Sequence, residues 1–113
     1  LESLRGAGFS AGSLGGVGEI KAGSILINAT SVGLKKDDLP IVDFSAIDKS
    51  CAFFDMPYRA GGETPSVEAA RKAGLKAASG RAMLAWQGAK SLSIWTGREM
   101  LGELMLNALD SDT

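Results

Sequence analysis

Ser50-Cys51-Ala52-Phe53-Phe54-Asp55 is an unbroken apolar run closing on a carboxylate, and Ser24-Ile25-Leu26-Ile27-Asn28 has the same form earlier in the chain. Neither run alternates between apolar and polar residues. Short runs without alternation suit strands covered on both faces, as in a parallel sheet. Between the two runs, residues 39 to 49 include Pro40 and a possible helical turn at Phe44 to Asp48. Leu75 to Ala78 is a shorter third strand candidate.

Helical signals follow and interleave. Thr64 can cap a helix whose first residue is Pro65, which has no amide hydrogen to leave unpaired there. That helix is expected to run to about Ala73 and to stop at Gly74. The next carries an apolar stripe of Ala82, Ala85, Trp86, Ala89 and Leu92 at helical spacing. A third is predicted to start at the capping box Thr96-x-x-Glu99, with Leu101, Leu104, Met105 and Ala108 on one face. This order of elements specifies an α/β fold with a parallel sheet.

Composition narrows the function classes. A chain of 113 residues makes one small domain with a modest core. Its 45% hydrophobic and 22% charged residues are ordinary for a globular domain and argue against disorder. A net charge of −1, with Lys35-Lys36 answered at once by Asp37-Asp38, argues against nucleic-acid or anionic-membrane partners. Cys51 is the sole cysteine, so neither an internal disulfide nor a cysteine zinc site is available. Its apolar neighbours mark it as a buried, inert thiol. The chain has no histidine, which removes the commonest general base and metal ligand, and no metal is expected. No membrane-length apolar stretch or signal peptide is visible, and a reducing, cytoplasmic setting is expected.

Residues 6 to 18 hold six of the fifteen glycines. Within them Gly6-Ala7-Gly8-Phe9-Ser10-Ala11 fits the G-x-G-x-x-[GA] dinucleotide pattern. That mechanism needs a buried strand just before the motif and a helix opening inside it. Here Leu1-Glu2-Ser3-Leu4-Arg5 reads as a helix tail instead. The segment is therefore taken as a helix stop and a flexible loop.

Ligands of open parallel sheets bind at the carboxyl ends of the strands. Asn28-Ala29-Thr30-Ser31 follows the first strand, Asp55-Met56-Pro57-Tyr58 the second, and Gly80 opens the helix after the third. Each has a bland reading. Asn28 and Thr30 could simply cap a strand end. Tyr58 could be a partly buried loop aromatic, and Gln87 a solvent-exposed glutamine. Against the last, Gln87 sits among Leu84, Ala85, Trp86 and Ala89, a stretch that reads as mostly buried. Asp55 lacks a neighbouring proton donor that would make it a general base, and reads as fixing its turn through backbone amides.

Taken together, Ile27-Asn28-Ala29-Thr30-Ser31-Val32-Gly33, Asp55-Met56-Pro57-Tyr58 followed by Thr64-Pro65, and Gly80-x-x-Met83-Leu84-x-x-Gln87 running on to Trp95-Thr96-Gly97 resemble the C-terminal part of shikimate dehydrogenases. The resemblance implies the C-terminal half of a Rossmann-like doubly wound parallel sheet plus C-terminal helices. Residues 1–23 would then be helix tail and glycine-rich loop, 24–80 a βαβ-type core, and 81–109 the C-terminal helices. The N-terminal substrate domain and the first βαβ unit are expected to lie outside these 113 residues.

The implied reaction is the reversible reduction of 3-dehydroshikimate to shikimate with NADPH, in aromatic amino-acid biosynthesis. NADP is the implied cofactor, with NAD left open. Matched position by position, Asn28, Thr30 and Ser31 lie on the cofactor's ribose and diphosphate side, and Met56, Gly80 and Met83 at its nicotinamide end. Tyr58 and Gln87 match substrate-binding residues; a buried glutamine amide needs partners, which a polyhydroxylated substrate supplies. The family's catalytic lysine and aspartate belong to the substrate domain. None of the seven lysines lies in a matching motif, so no catalytic residue is assigned and the chain alone is expected to be inactive. One departure stands out: the Tyr58-to-Thr64 spacing is one residue longer than is usual, and Arg59-Ala60-Gly61-Gly62-Glu63 lacks the frequent proline.

Two other readings share these motifs: a quinate/shikimate dehydrogenase using NAD, and a folded remnant or interaction module without chemistry. The expected partners are shikimate in the intact enzyme, and either a second copy paired along the strand at Ile25 to Asn28 or the N-terminal half. Nucleic acid and membrane are not expected.

Overall fold

In the computed structural model, residues 6–9, 12 and 19–111 are described. The expected helix tail at 1–5, and much of the glycine-rich loop including Ser10 and Ala11, lie outside them. The apolar runs form strands β1 (Ile25–Asn28) and β2 (Ala52–Asp55), joined by β3 (Lys76–Ser79). Each strand pairs in parallel with the next, in the order β1-β2-β3. The turn between the first two strands is a 3-10 helix, Phe44–Ala46, held at its start by Ser45 N–H donating to Asp43 Oδ1 at 3.0 Å.

Helix α1 (Pro65–Lys72) begins where its sequence says it should. Thr64 Oγ1 accepts from Val67 N–H at 3.2 Å, satisfying one of the amides that a helix start leaves orphaned. The helix ends at Ala73 and Gly74 turns the chain with φ +91°, where a Cβ would be strained.

The parallel register places Leu26, Phe53 and Ala77 in one row and Asn28, Asp55 and Ser79 in another on the same face. That face carries the core. Phe44, Ile47, Cys51, Phe53, Val67, Ala70 and Leu75 form one buried cluster there, with Leu26 and Ala77 packed against it. Phe44 and Phe53 meet edge to face, with ring centroids 4.7 Å apart. The opposite face is partly open: Ile25 is 72% and Ile27 61% exposed. Strands covered on both faces were the expectation, so β1 differs on this side.

Helices α2 (Arg81–Thr96) and α3 (Gly102–Ser111) form a hairpin. Here the structure corrects the sequence reading. Thr96 does not cap a helix start; it is the last residue of α2, and its hydroxyl donates to Leu92 O at 2.7 Å. Gly97 then ends α2 in the left-handed region at φ +68°. The stripes are re-phased as well. Ala85 and Ala89 are buried while Ala82 and Trp86 are exposed. From α3, Met105, Ala108 and Leu109 line the groove against Leu84, Ala85 and Gly88, leaving Leu101 and Leu104 outside. No helix among the described residues is long and apolar enough to cross a membrane.

Candidate functional site at the carboxyl ends of the strands

The polar row at the end of the sheet is built from side chains that saturate one another. Asn28 donates through Nδ2 to Val32 O at 2.9 Å and to Asp55 Oδ1 at 2.7 Å. Its Oδ1 accepts from Thr30 N–H at 3.0 Å and from Thr30 Oγ1 at 2.7 Å. All four hydrogen-bonding positions of the amide are thereby used. Asn28 is only 3% exposed, so it shapes the loop after β1 from beneath and has no side-chain group left for a ligand.

Asp55 is fully buried and takes its second donor from Thr64 Oγ1. It fixes its turn, as its sequence context suggests, but through side-chain donors rather than backbone amides. The turn itself is tied to β1 by Met56 N–H donating to Asn28 O at 3.0 Å.

Beyond Asn28 the loop is exposed. Thr30 Oγ1 also accepts from Val32 N–H at 3.2 Å, whereas the Ser31 hydroxyl has no partner among the described residues. Gly33, at φ +111°, reverses the chain in a conformation that a side chain would strain. Its N–H and that of Lys35 both donate to Asp38 Oδ2, at 2.8 and 3.0 Å. These two amides, Gly33 first, hold the Asp38 carboxyl below the usual carboxylate range.

At the β2 end, Met56 is 42% exposed and Met83, in the first turn of α2, 39% exposed. Gly80 between them is buried, and its N–H donates to Pro57 O at 3.4 Å. The second and third motifs are thus in backbone contact. Tyr58 is half-buried and lines a cleft of about 670 Å³ with Arg59, Glu63, Ser79, Arg81 and Asp110. Arg81 and Asp110 form an ion pair that ties the start of α2 to the end of α3. The longer loop after Tyr58 folds back on itself, with Arg59 bridging Gly62 around Gly61 at φ +79°.

Gln87 corrects the sequence reading. It lies on the exposed side of α2 and does not line the Tyr58 cleft. The neighbours that made it look buried are themselves divided, since Trp86 is 54% exposed. Sequence reasoning also left out Pro57, whose carbonyl receives Gly80, and cast Thr64 only as a helix cap. The missed signal for Thr64 was a buried acid, Asp55, needing a second donor.

The chain is similar to known proteins in sequence and in fold. The family model for the shikimate 5'-dehydrogenase C-terminal domain matches residues 80–109. A shikimate dehydrogenase (NADP(+)) of Methanocella arvoryzae is 48% identical over 86 residues, covering 75% of this chain and 32% of that protein. The structure of shikimate 5-dehydrogenase from Thermus thermophilus, in complex with NADP(H) and shikimate, superposes with a TM-score of 0.79 at 30% identity, over 97% of this chain and 41% of that one. The ligand-free 5-ketofructose reductase of a Gluconobacter strain gives a TM-score of 0.67 at 27% identity, over 82% of this chain and 36% of that one. The chain spans about a third of the length of the curated relatives it matches. By family model, sequence identity and superposed fold, the chain belongs to the shikimate dehydrogenase family and corresponds to its C-terminal part.

Proposed function

We propose that this chain forms the nicotinamide-side part of an NADP-dependent shikimate dehydrogenase. The observation that carries the reading is the contact at Gly80, which locks the Met56 turn against the first turn of α2 and sets Met56 and Met83 on one rim. A dinucleotide fits this rim. The exposed Ser31 hydroxyl can donate to a phosphate oxygen, Thr30 Oγ1 keeps one lone pair for a ribose hydroxyl, and the two methionines offer a soft apolar surface for a flat ring. Bound NADP supplies the hydride chemistry.

In this reading Thr30 and Ser31 touch the cofactor, Met56, Gly80 and Met83 frame its nicotinamide end, and Asn28 positions the loop without touching it. Tyr58 and Gln87 belong to the substrate side, Tyr58 from its cleft and Gln87 from the exposed face of α2. That the similar enzymes are NADP(+) shikimate dehydrogenases favours NADP over NAD.

The test is a titration of the ¹⁵N-labelled chain with NADP, shikimate and 5-ketofructose in turn. NADP is expected to shift the amides of residues 29–32, 56 and 80–83, and shikimate those of Tyr58 and the Gln87 side chain. Response to 5-ketofructose with none to shikimate, or NADP shifts confined to other residues, overturns the reading.

A further inference from the structure

The polar row reaches further than the loop it supports. Backbone groups fix its polarity at both ends, because an N–H can only donate and a C=O can only accept. Val67 N–H donates to Thr64 Oγ1 at 3.2 Å, so the Thr64 proton is free to point at Asp55 Oδ2. Thr30 N–H donates to Asn28 Oδ1 at 3.0 Å, which turns the two Nδ2 protons toward Val32 O and Asp55 Oδ1. Asp55 therefore faces a donor on each oxygen. Asn28, Asp55 and Thr64 are 3%, 0% and 0% exposed. The row crosses from the start of α1, past the end of β2, to the loop after β1.

We propose that Thr64 is a positioning residue for the loop at 29–33, acting through Asp55 and Asn28 although no ligand reaches it. The consequence for nucleotide affinity rests on the reading of that loop as the cofactor side. Removing the Thr64 hydroxyl leaves one Asp55 oxygen buried without a donor. The carboxylate then shifts toward other partners, and Asn28 loses the fixed acceptor that sets its amide plane.

Three variants of the labelled chain separate this from a simple helix-cap effect. Thr64→Val removes the hydroxyl at nearly constant volume, Thr64→Ser restores it, and Asp55→Asn leaves the cap intact but sets an N–H against a donor. Hydrogen exchange is read at the Asn28 side-chain amide and the Thr30 N–H, with β3 and α2 amides as internal references. Thr64→Val and Asp55→Asn are expected to speed exchange at both sites roughly tenfold or more relative to the references, with Thr64→Ser matching the parent. NADP dissociation constants should rise in the same order across the variants.

Faster exchange only at Val67 and the first turn of α1 overturns the proposal. So does a uniform rise at all amides, a silent Asp55→Asn, or loss of fold in both Thr64→Val and Asp55→Asn, which would make the row a core element rather than a positioning one. Failure of the parent chain to bind NADP overturns the cofactor reading instead, and the exchange arm then decides the role of Thr64 by itself.

Discussion

The carbonyl oxygen of Met56 lies only 1.9 Å from where a Cβ on Gly80 would stand. The obstacle is backbone, so no rotamer change can relieve it. Gly80→Ala should therefore force the β2 turn and the start of α2 apart, costing about 1–3 kcal/mol or more. A chemical-denaturation midpoint equal to the parent's would show that the turn gives way freely and that the interlock is not rigid.

Gly102 makes a similar contact of a different kind. A Cβ there would fall 2.1 Å from Trp86 Cδ2, but the obstacle is a side chain that is 54% exposed and able to swing outward. Gly102→Ala is expected to keep the fold and move the Trp86 ring into water. In a Trp95→Phe background, the emission maximum should shift to the red; an unchanged spectrum would mean that the helix, not the ring, had moved.

Asp38 gives a pH prediction with a definite sign. Its folded-state pKa is lowered by the amides of Gly33 and Lys35, so the stability contributed by its ionised form is present above the unfolded-state value. That contribution is lost as pH falls through the lower folded value. The Gly33 and Lys35 amide resonances should titrate with a midpoint below the usual aspartate range. In Asp38→Asn the titration should vanish; a midpoint above the usual aspartate range in the parent would contradict the assignment.

Phe53 sits at the centre of the buried cluster, edge to face with Phe44. Phe53→Ala should cost roughly 3–5 kcal/mol, a large share of what a domain of this size has. Loss of cooperative thermal unfolding by circular dichroism is the expected result, and a sharp transition within a few degrees of the parent's would refute it.

What could be read from the sequence was what neighbouring residues decide. The runs at Ile25–Asn28 and Ala52–Asp55 are strands because their β-branched and aromatic residues suit a pleated ladder, even where Ile25 and Ile27 stay exposed. Thr64-Pro65 starts a helix and Gly74 follows its end because cap chemistry acts over three or four residues. The Thr96-x-x-Glu99 box failed in the same range: α2 extends through Ser93 to Thr96, and Gly97 ends it. Longer-range facts were not legible. The second donor to Asp55 and the partner of Asn28, 27 residues away, exist only once β1, β2 and α1 are assembled. The exposure of Gln87 likewise depends on which side of α2 the α3 hairpin covers.

The strand order carries a last implication, for how the chain is made. Because β1 pairs with β2 and β2 with β3, each strand meets its neighbour as soon as one intervening segment has been synthesised. Among the described strands each pairs with the next in the chain, so the entropy of loop closure within this sheet is met in two steps. A ribosome-bound chain ending just past Asp55 already holds both strands of the first pair, together with Phe44 and Ile47 from its core. It still lacks Thr64, so the polar row that sets the loop after β1 closes only when the next helix has emerged.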